Sequence, residues 1–470
     1  MFKHTLVALA TGLTCVGAFA QPTADANTLN ALRQQIDELR QQYETRIKAL
    51  KTKLDAASRQ AATAPGAAAP ATTADAPAQP AVVAQAPKRM DNRFNPSMSV
   101  ILSGTYANLR RDPETWELSG FKMGGDGHGV GPGARSFNLG ESEISIRANI
   151  DTLAMGALTL GLNDENEAEV EEAYIQSTSL PHGLTLKGGR FFSSVGYQNE
   201  QHAHAWDFVD APLVHQAFLG GQYKQEGAQL KWVLPTTQYV AFGAELGNGK
   251  AYPGSDRNSN QLGATTLFAH TGGDIGDSHS WRMGLSWLRT KAADREWGMG
   301  HDHEGEEHAG EEMSFSGKSR LWVLDGVWKW APNGNASSTS FKLQGEYFRR
   351  KETGAATLIE PDELPADGFY RSSQSGWYLQ GVYQFMPKWR VGLRHDRLDS
   401  GNVRVGDGLE ELVGEKHNPK RTSLMLDWSP SEFHRWRIQV NDDRARLGVK
   451  DTQIFLQYQM SLGAHGAHAF

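Results

Sequence analysis

The chain has 470 residues, of which 47 are Lys or Arg and 54 are Asp or Glu, giving a formal net charge of −7. This balance lacks the excess of positive charge that nucleic-acid binding requires, so we expect no nucleic-acid partner. Hydrophobic residues make up only 39% of the chain, whereas Gly occurs 50 times and Trp 13 times, which favours an all-β protein.

The N-terminal residues 1–20 have the features of an export signal. Lys3 precedes an apolar run from Leu6 to Val16, and the triplet AFA follows. We therefore predict a signal peptide here. The single cysteine, Cys15, lies inside this segment, so the exported chain is expected to contain no disulfide. A periplasmic enzyme without disulfides is also compatible with these features.

Two segments of different composition follow the signal. In residues 21–58, apolar side chains recur at spacings of three and four from Leu29 to Leu54, which predicts a coiled-coil helix in the periplasm. Such a helix buries its apolar stripe against copies of itself, so we expect a homotrimer. The alternatives are a dimer and a single solvated helix. Residues 59–92 consist mainly of Ala, Pro, Thr and Gln and predict an extended linker.

Residues 93–470 alternate between apolar and polar side chains with a period of two. In SWRMGLSWLR, for example, Trp281, Met283 and Leu285 share one face, while Arg282 and Gly284 share the other. An apolar face, a polar face and aromatic residues near the strand ends are typical of outer-membrane strands. After the signal, the sequence contains no uninterrupted apolar run of the roughly 18 residues that a membrane helix needs.

The lengths of the links separate a membrane barrel from a soluble sandwich, since both have alternating strands. Short links mostly alternate with long ones at 110–136, 193–227, 292–316, 352–373 and 399–419. This asymmetry predicts an antiparallel transmembrane β-barrel of about 16 strands in the bacterial outer membrane, in contact with lipid. The aromatic C-terminal residue, Phe470, is typical of such barrels.

A histidine-rich acidic stretch, HDHEGEEHAGEE, occupies residues 301–312 after the predicted ninth strand. Imidazole and carboxylate groups are the ligands that zinc and similar metals accept, so we expect this external loop to capture divalent metal. The candidate ligands are His301, Asp302, His303, Glu304, Glu307 and His308. The alternative is a solvated acidic loop without a metal.

A second cluster lies in the third long loop, in the stretch GYQNEQHAHAWDFVDAP. We expect this loop to fold into the pore, with His202 and His204 on one face of an extended backbone and with Asp207 and Asp210 as further metal ligands. The alternative is a loop anchored by aromatic side chains whose histidines are only hydrogen-bonded.

The predicted lumen wall carries both basic and acidic side chains. Its charge therefore does not distinguish a phosphate channel from a cation channel. The sequence contains no nucleophile–base or paired-carboxylate arrangement with catalytic spacing. We therefore predict no enzyme activity and no cofactor, apart from transported or loop-bound Zn²⁺.

The stretches LGESEISIRANID, HAHAWDFVDAPL and QMSLGAHGAHAF resemble the zinc-regulated TonB-dependent outer membrane receptor family and, more distantly, the phosphate-selective porins O and P. The resemblance covers Asn138 to Phe470 and implies metal import across the outer membrane. It carries over His202, His204, Trp206, Asp207 and Asp210 as matching positions. Coupling to TonB fits badly, because such receptors have a plug inside a 22-stranded barrel, whereas the residues before the first strand indicate a coil and a linker.

The sequence thus predicts a porin-like channel or receptor for the uptake of zinc or a related divalent metal. Three alternatives remain at this point. They are a general or anion-selective porin of the phosphate type, a receptor for a metal chelate or siderophore, and a structural tether that acts through its coiled coil.

Overall fold

The computed structural model describes residues 96–123, 130–162, 168–297, 312–359 and 365–463. They form one antiparallel sheet that closes on itself, because the first strand pairs with both the second and the last. The strands are β1 (Ser97–Leu109), β2 (Ser136–Leu139 and Ser142–Asn149), β3 (Ala154–Leu162), β4 (Ala168–Ser177), β5 (Leu184–Phe192), β6 (Lys224–Val233), β7 (Tyr239–Gly247), β8 (Ala264–Ile275), β9 (His279–Glu296), β10 (Glu312–Trp330), β11 (Ser340–Ile359), β12 (Ala366–Met386), β13 (Trp389–Val405), β14 (Lys420–Ser431), β15 (His434–Arg444) and β16 (Asp451–Gly463).

Two segments make up β2, because both pair with β1 and only Gly140 and Glu141 separate them. The predicted barrel of about 16 strands is therefore confirmed. Helical structure among the described residues is limited to α1 (Leu213–Leu219) and to single 3₁₀ turns at Pro181–Gly183, Gln198–Glu200, Ala203–Ala205, Pro332–Gly334 and Glu410–Val413. Within the same residues, no helix has the length and apolarity to cross a membrane.

Several predicted features lie outside the described residues. They are the signal peptide (1–20), the coiled coil (21–58), the linker (59–92) and the candidate ligands His301, Asp302, His303, Glu304, Glu307 and His308.

Side chains alternate across the barrel wall. On β11, Leu343 and Tyr347 are exposed on the outside, whereas Gln344, Glu346 and Phe348 are buried on the inside. The face predicted from SWRMGLSWLR also lies outward, with Met283 and Leu285 about half exposed. Because successive side chains of a strand point to opposite faces, the period of two in the sequence becomes an apolar outer wall and a polar inner wall.

The two ends of the barrel differ. One end, the turn end, carries the short links at 150–153, 178–183, 234–238, 276–278, 331–339, 387–388 and 432–433 and also the start of β1 and the end of β16. The other end, the loop end, carries the remaining connections, the longest of which are 110–135 and 193–223.

Three predicted loops, 292–316, 352–373 and 399–419, are shorter than expected. The strands β9 to β13 run further toward the loop end, so that β11 reaches Ile359. The first outward side chains beyond Tyr347, which are Arg349 and Lys351, are polar, but the pairing with β10 and β12 continues. The change to polar residues therefore marks the limit of the apolar band and not the end of the strand.

Gly189 allows β4 and β5 to approach each other. It has φ +131°, and a Cβ there would lie 2.2 Å from the carbonyl oxygen of Ala173 on the neighbouring strand. Only four residue pairs join these strands. We expect Gly189→Ala to lower the free energy of unfolding by about 1–3 kcal/mol, because the alanine combines backbone strain with a clash.

Urea unfolding of the barrel in lipid vesicles, followed by tryptophan fluorescence, measures this effect. Gly104→Ala is the matched control, since a Cβ at Gly104 meets nothing within 4 Å. Equal effects of the two substitutions would contradict the close approach.

Candidate metal centre

The connection between β5 and β6, residues 193–223, lies inside the barrel and is called the inner loop. The backbone N–H groups of Tyr197 and Gln198 donate to Glu346 on β11, at 2.5 and 3.3 Å. The N–H of Leu213 donates to Asp396 on β13, at 2.9 Å. Because the loop starts at β5, bonds to these strands carry it across the lumen.

Apolar contacts hold the middle of the inner loop. All seven residues of α1 are buried, and its Phe218 stacks on Phe348 of β11 with ring centroids 6.0 Å apart. Val214 and Leu213 belong to the same buried cluster as Leu398 of β13. The inner loop therefore has a defined position within the lumen.

The inner loop places two histidines against acidic residues of the nearer wall. His202 Nδ1 lies 3.2 Å from Glu143 Oε2 on β2 and 3.0 Å from Glu171 Oε2 on β4. The other nitrogen, Nε2, lies 3.1 Å from Glu172 Oε2. His204 Nδ1 lies 2.9 Å from the same Glu143 oxygen. Five side chains thus form one cluster of imidazoles and carboxylates.

The two histidines come together by a different backbone than expected. The sequence predicted an extended His-x-His segment, whereas Ala203–Ala205 forms a 3₁₀ turn. The turn nevertheless stacks the two rings, with centroids 5.6 Å apart and planes at 21°.

Glu171 and Glu172 are adjacent in sequence, yet both are buried on the inner face. The register between β3 and β4 shifts between Thr159 and Leu160, so that Glu171 is an extra residue in the ladder. A bulge of this kind turns two successive side chains to one face. Gly161 leaves the space for Glu171, because a Cβ there would lie 2.8 Å from its Oε1.

The carboxylates determine the charge of His202. Burial alone would lower the pKa of this imidazole, but its hydrogen bonds to Glu143, Glu171 and Glu172 outweigh the burial and raise the pKa well above its usual range. The cluster therefore holds a positive charge at its centre.

The geometry fits a metal ion with mixed nitrogen and oxygen ligands. Glu143, His202 and His204 each offer a ligand atom, and these atoms all lie within 4.8 Å of one another. Zinc takes four such ligands at roughly 2.0–2.2 Å, so side-chain movements of about 1 Å would close the shell. Glu171 is placed to supply the fourth ligand, because its Oε2 lies beside the same Nδ1 of His202.

Glu172 has a different place in this arrangement. It contacts Nε2 of His202, whereas Glu143 contacts Nδ1. A carboxylate on the second nitrogen of a ligating histidine fixes its tautomer and orientation. Glu172 would thus orient His202 for a metal ion bound at Nδ1.

The structure places Asp207 and Asp210 in a different environment from the histidines, although the sequence grouped all four as ligands. Asp207 pairs with Lys342 and, at 3.2 Å, with Arg390. Asp210 pairs with Arg394 at 2.7 Å and Arg421 at 3.0 Å. Burial would raise the pKa values of both carboxyls, but these basic groups hold them well below their usual range.

The anchoring aromatics are also present. Trp206 Nε1 donates to the carbonyl oxygen of Gln201 at 2.9 Å, and Phe208 is buried with the guanidinium of Arg394 4.7 Å from its ring centre. The inner loop therefore combines an anchor, from Trp206 to Asp210, with the histidines that precede it.

The residues that the sequence did not single out as ligands are Glu143, Glu171 and Glu172. A signal for the last two exists in EVEEAY, where the paired glutamates break the alternation of β4. Glu143 occurs in a regular polar position of β2 and carries no such signal.

Removing the anchor charge is expected to destabilise the barrel. We expect Asp210→Asn to lower the free energy of unfolding by about 3–5 kcal/mol, because it takes the nearest carboxylate from the buried Arg421 and leaves the buried Arg394 with Asp396 alone. The control is Asp442→Asn, which breaks exposed pairs with Arg444 and Lys450 and should cost less than about 1 kcal/mol. Similar costs for the two variants would show that Asp210 is not the anchor.

The pH dependence of this anchor has a defined sign. The pKa of Asp210 is lower in the folded than in the unfolded chain, so its contribution is present above the unfolded pKa of about 3.9 and is lost as the pH falls through the folded pKa. We expect the stability difference between wild type and Asp210→Asn to stay constant from about pH 7 to about pH 5 and to shrink only below about pH 3.9. Urea unfolding at each pH measures it, and a difference that already shrinks near neutral pH would contradict the assignment.

No family model matches the chain. An uncharacterized protein of Aquifex aeolicus (strain VF5) is 28% identical over 403 residues, which cover 80% of each chain.

Similar solved structures include a loop-deletion mutant of OmpT, an outer membrane protein of Vibrio cholerae. It has 10% identity and a TM-score of 0.48, and the match covers 78% of this chain and 99% of that one. The outer membrane channel DcaP of Acinetobacter baumannii has 11% identity and TM-score 0.46, with coverage of 78% and 97%. An anion-selective porin from Comamonas acidovorans has 10% identity and TM-score 0.46, with coverage of 78% and 99%.

Proposed function

We propose that the chain is a porin-like channel of the bacterial outer membrane for the uptake of zinc or a related divalent metal ion. The observation that carries the proposal is the group of Glu143, His202 and His204 inside a closed barrel. A permeating ion must bind well enough to enter the channel and weakly enough to leave it. Histidine ligands on the inner loop and glutamate ligands on the wall, held together by a displaceable proton on His202, suit such an exchange.

The outer surface supports a membrane location. Leu324, Leu379 and Leu424 are about half exposed on three different strands, and Trp322 and Trp377 lie on the loop-end side of Leu324 and Leu379. A soluble protein rarely exposes a contiguous apolar surface of this extent. In this orientation the turn end faces the periplasm and the loop end faces outward.

Arginine substitutions test the lipid contact. We expect Leu379→Arg to cost roughly 2–4 kcal/mol in a bilayer, because it places a charge near the middle of the apolar band. Thr353→Arg is the control, since Thr353 also points outward but lies beyond the band, beside Lys351. Folding yield into lipid vesicles measures both, and equal tolerance of the two would contradict the membrane location.

The acidic loop 301–312 extends the proposal to the outer mouth. We propose that its imidazoles and carboxylates raise the local concentration of metal, and that a homotrimer is the assembled form. Deletion of 301–312 should slow zinc uptake at low external zinc and leave uptake at high zinc unchanged. Uptake by cells starved of zinc measures this.

Zinc binding by the purified protein tests the centre directly. We expect His202→Ala and Glu143→Gln to weaken binding more than about a hundredfold, and Glu172→Gln to weaken it about 10–100-fold, because Glu172 only orients a ligand. His395→Ala, which removes a histidine on the outer wall, is the control and should have no effect. Competition with a zinc-binding dye gives the affinities. Unchanged zinc affinity of His202→Ala and Glu143→Gln would contradict the proposal.

An anion-selective porin is the second candidate. The observation that favours it is the basic ladder, a set of inward side chains on β11 to β15: Lys342, Arg390, Arg394, Arg421, Arg435 and Arg437. Four of its contacts are the carboxylates of Asp207, Asp210, Asp396 and Asp427, which neutralise much of its charge. Reversal potentials in gradients of ZnCl₂ and KCl separate the candidates. In an anion channel, the reversal potential moves toward the equilibrium potential of chloride in both salts.

A receptor for a metal chelate or siderophore makes a different prediction. Its uptake would saturate at low concentration and would require the energy-transducing complex, whereas uptake through the proposed channel follows the metal gradient.

A further inference from the structure

We propose that basic side chains on the outside of the barrel bind the phosphate groups of the glycolipid, lipopolysaccharide, in the external leaflet of the outer membrane. These side chains, called the outer basic patch, lie on β9 to β11 and are Arg289, Lys291, Lys318, Arg320, Arg349 and Lys351. The inference goes beyond the proposed function, because it assigns a second ligand to a different surface. It rests only on the membrane orientation given there.

The side chains of the outer basic patch point away from the lumen. On β10, the buried Ser319 lies between Lys318 and Arg320, which are both exposed. Arg349 and Lys351 on β11 are also exposed, and the two residues on β9 are half-buried. They share the face of the strands that carries the apolar band, so the patch lies on the surface that the membrane surrounds.

The outer basic patch begins directly beyond the apolar band, on its loop-end side. Trp287 of β9 is opposite Trp322 of β10, and their ring centroids are 6.2 Å apart. The next outward residues on these two strands are Arg289 and Arg320, about 7 Å further along. Tryptophan favours the level of the lipid headgroups. The basic groups therefore reach the charged layer of the external leaflet.

The strand register places like charges directly opposite each other in the outer basic patch. Arg289 pairs with Arg320, which also pairs with Lys351 on the next strand. Lys291 pairs with Lys318. The Cβ atoms of such pairs are about 4.5–5.5 Å apart, and like charges in these positions destabilise a sheet. An anion bound between the strands turns this repulsion into attraction.

The surroundings of the patch leave its charge available for a ligand. Among the described residues, none of the six basic side chains forms an ion pair, and Nε of Arg289 is buried without a hydrogen-bond partner. Glu352 pairs inward, away from the patch. The outward neighbours are hydroxyls, since Thr265 is opposite Arg289 and Ser373 is opposite Lys351. Hydroxyl groups donate to phosphate oxygens and add no negative charge.

Two exposed carboxylates lie near the outer basic patch but not within it. Asp294 lies on the loop-end side, and its Oδ1 accepts a hydrogen bond from Ser316 at 2.8 Å. Asp399 of β13 is separated from Arg349 by β12, because Ser375 lies opposite both residues. The surface between them keeps a strong positive charge.

The other end of the same strands indicates which leaflet the patch meets. Toward the turn end, the outward residues are aromatic, namely Trp281 on β9, Trp328 and Trp330 on β10 and Phe341 on β11. The basic groups therefore face the external leaflet, where the glycolipid carries phosphate groups on its sugars. Clustered Lys and Arg at a membrane surface bind anionic headgroups, and Arg can hold phosphate with two hydrogen bonds.

Lipid binding to the full-length protein in neutral detergent tests the proposal. The probe is diphosphoryl lipid A, the membrane-embedded part of the glycolipid, and native mass spectrometry gives its affinity. Arg320→Gln/Lys351→Gln removes two opposed charges and should weaken binding roughly 30-fold. The matched control, Arg444→Gln/Lys450→Gln, removes two exposed charges that already pair with Asp442 and should change the affinity less than about threefold. Equal losses in the two variants overturn the proposal.

Thermal unfolding separates a lipid site from a purely structural role. Without lipid A, Arg320→Gln/Lys351→Gln should melt no lower than the wild type, because it removes opposed like charges. With lipid A, the melting temperature of the wild type should rise more than that of the variant. A variant that melts lower without the lipid, and that gains as much from it as the wild type, overturns the proposal.

Three further results would identify a different occupant, and each overturns the proposal. The first is equal affinity for phosphatidylglycerol or for lipid A without its phosphates. The second is displacement of lipid A by an equal concentration of inorganic pyrophosphate, which would indicate a soluble anion. The third is a tenfold gain in lipid A affinity on deletion of residues 301–312, which would indicate that the acidic segment of the chain itself occupies the patch.

Zinc binding, measured on the same variants, keeps this inference separate from the proposed function. We expect Arg320→Gln/Lys351→Gln to bind zinc like the wild type. Unchanged lipid A binding by this variant overturns the outer basic patch and leaves the metal channel intact. Equal tolerance of Leu379→Arg and Thr353→Arg in a bilayer overturns the membrane orientation and the lipid site together.

Discussion

The position of the inner loop depends on a small number of buried carboxylates that cross the lumen. Glu346 receives two backbone N–H groups and the imidazole of His215, at 2.6 Å, from a loop that begins on β5. Asp210 receives two guanidinium groups together with the amides of Gln439 and Asn441, at 2.8 and 2.9 Å. A buried carboxylate with this many donors stabilises the fold, whereas the same group without them would be costly.

The anchor fixes one end of the segment whose other end carries the histidines. Only Ala205 lies between His204 and the buried Trp206, so the rings have little freedom once Trp206 and Phe208 are in place. The charges of the lumen differ between its two sides. Carboxylates concentrate on β2 and β4 beside the histidines, whereas the basic ladder on β11 to β15 is paired with carboxylates such as Asp396 and Asp427.

The sequence predicted the wall of the barrel well and its contents only in part. Alternation of apolar and polar residues identifies a strand locally, because one face of each strand contacts an apolar environment. Sixteen strands could therefore be counted without knowledge of which strands pair. Long-range contacts have no such local signature. The separation of Asp207 and Asp210 from His202 depends on Arg394 and Arg421, which lie far along the chain. The bulge that turns Glu171 inward depends on the register with β3.

The carboxylates around His202 require a cation for a physical reason. Two unit charges of the same sign about 4 Å apart repel each other by roughly 4 kcal/mol at an effective dielectric constant near 20. Glu143 and Glu171 both contact Nδ1 of His202, so their carboxylates lie close enough together for such repulsion. A proton on His202 offsets it, and a divalent ion bound to Nδ1 of the same ring would offset it with twice the charge. The carboxylates that the wall brings together therefore stabilise a proton on His202, and a metal ion at Nδ1 would have to displace that proton.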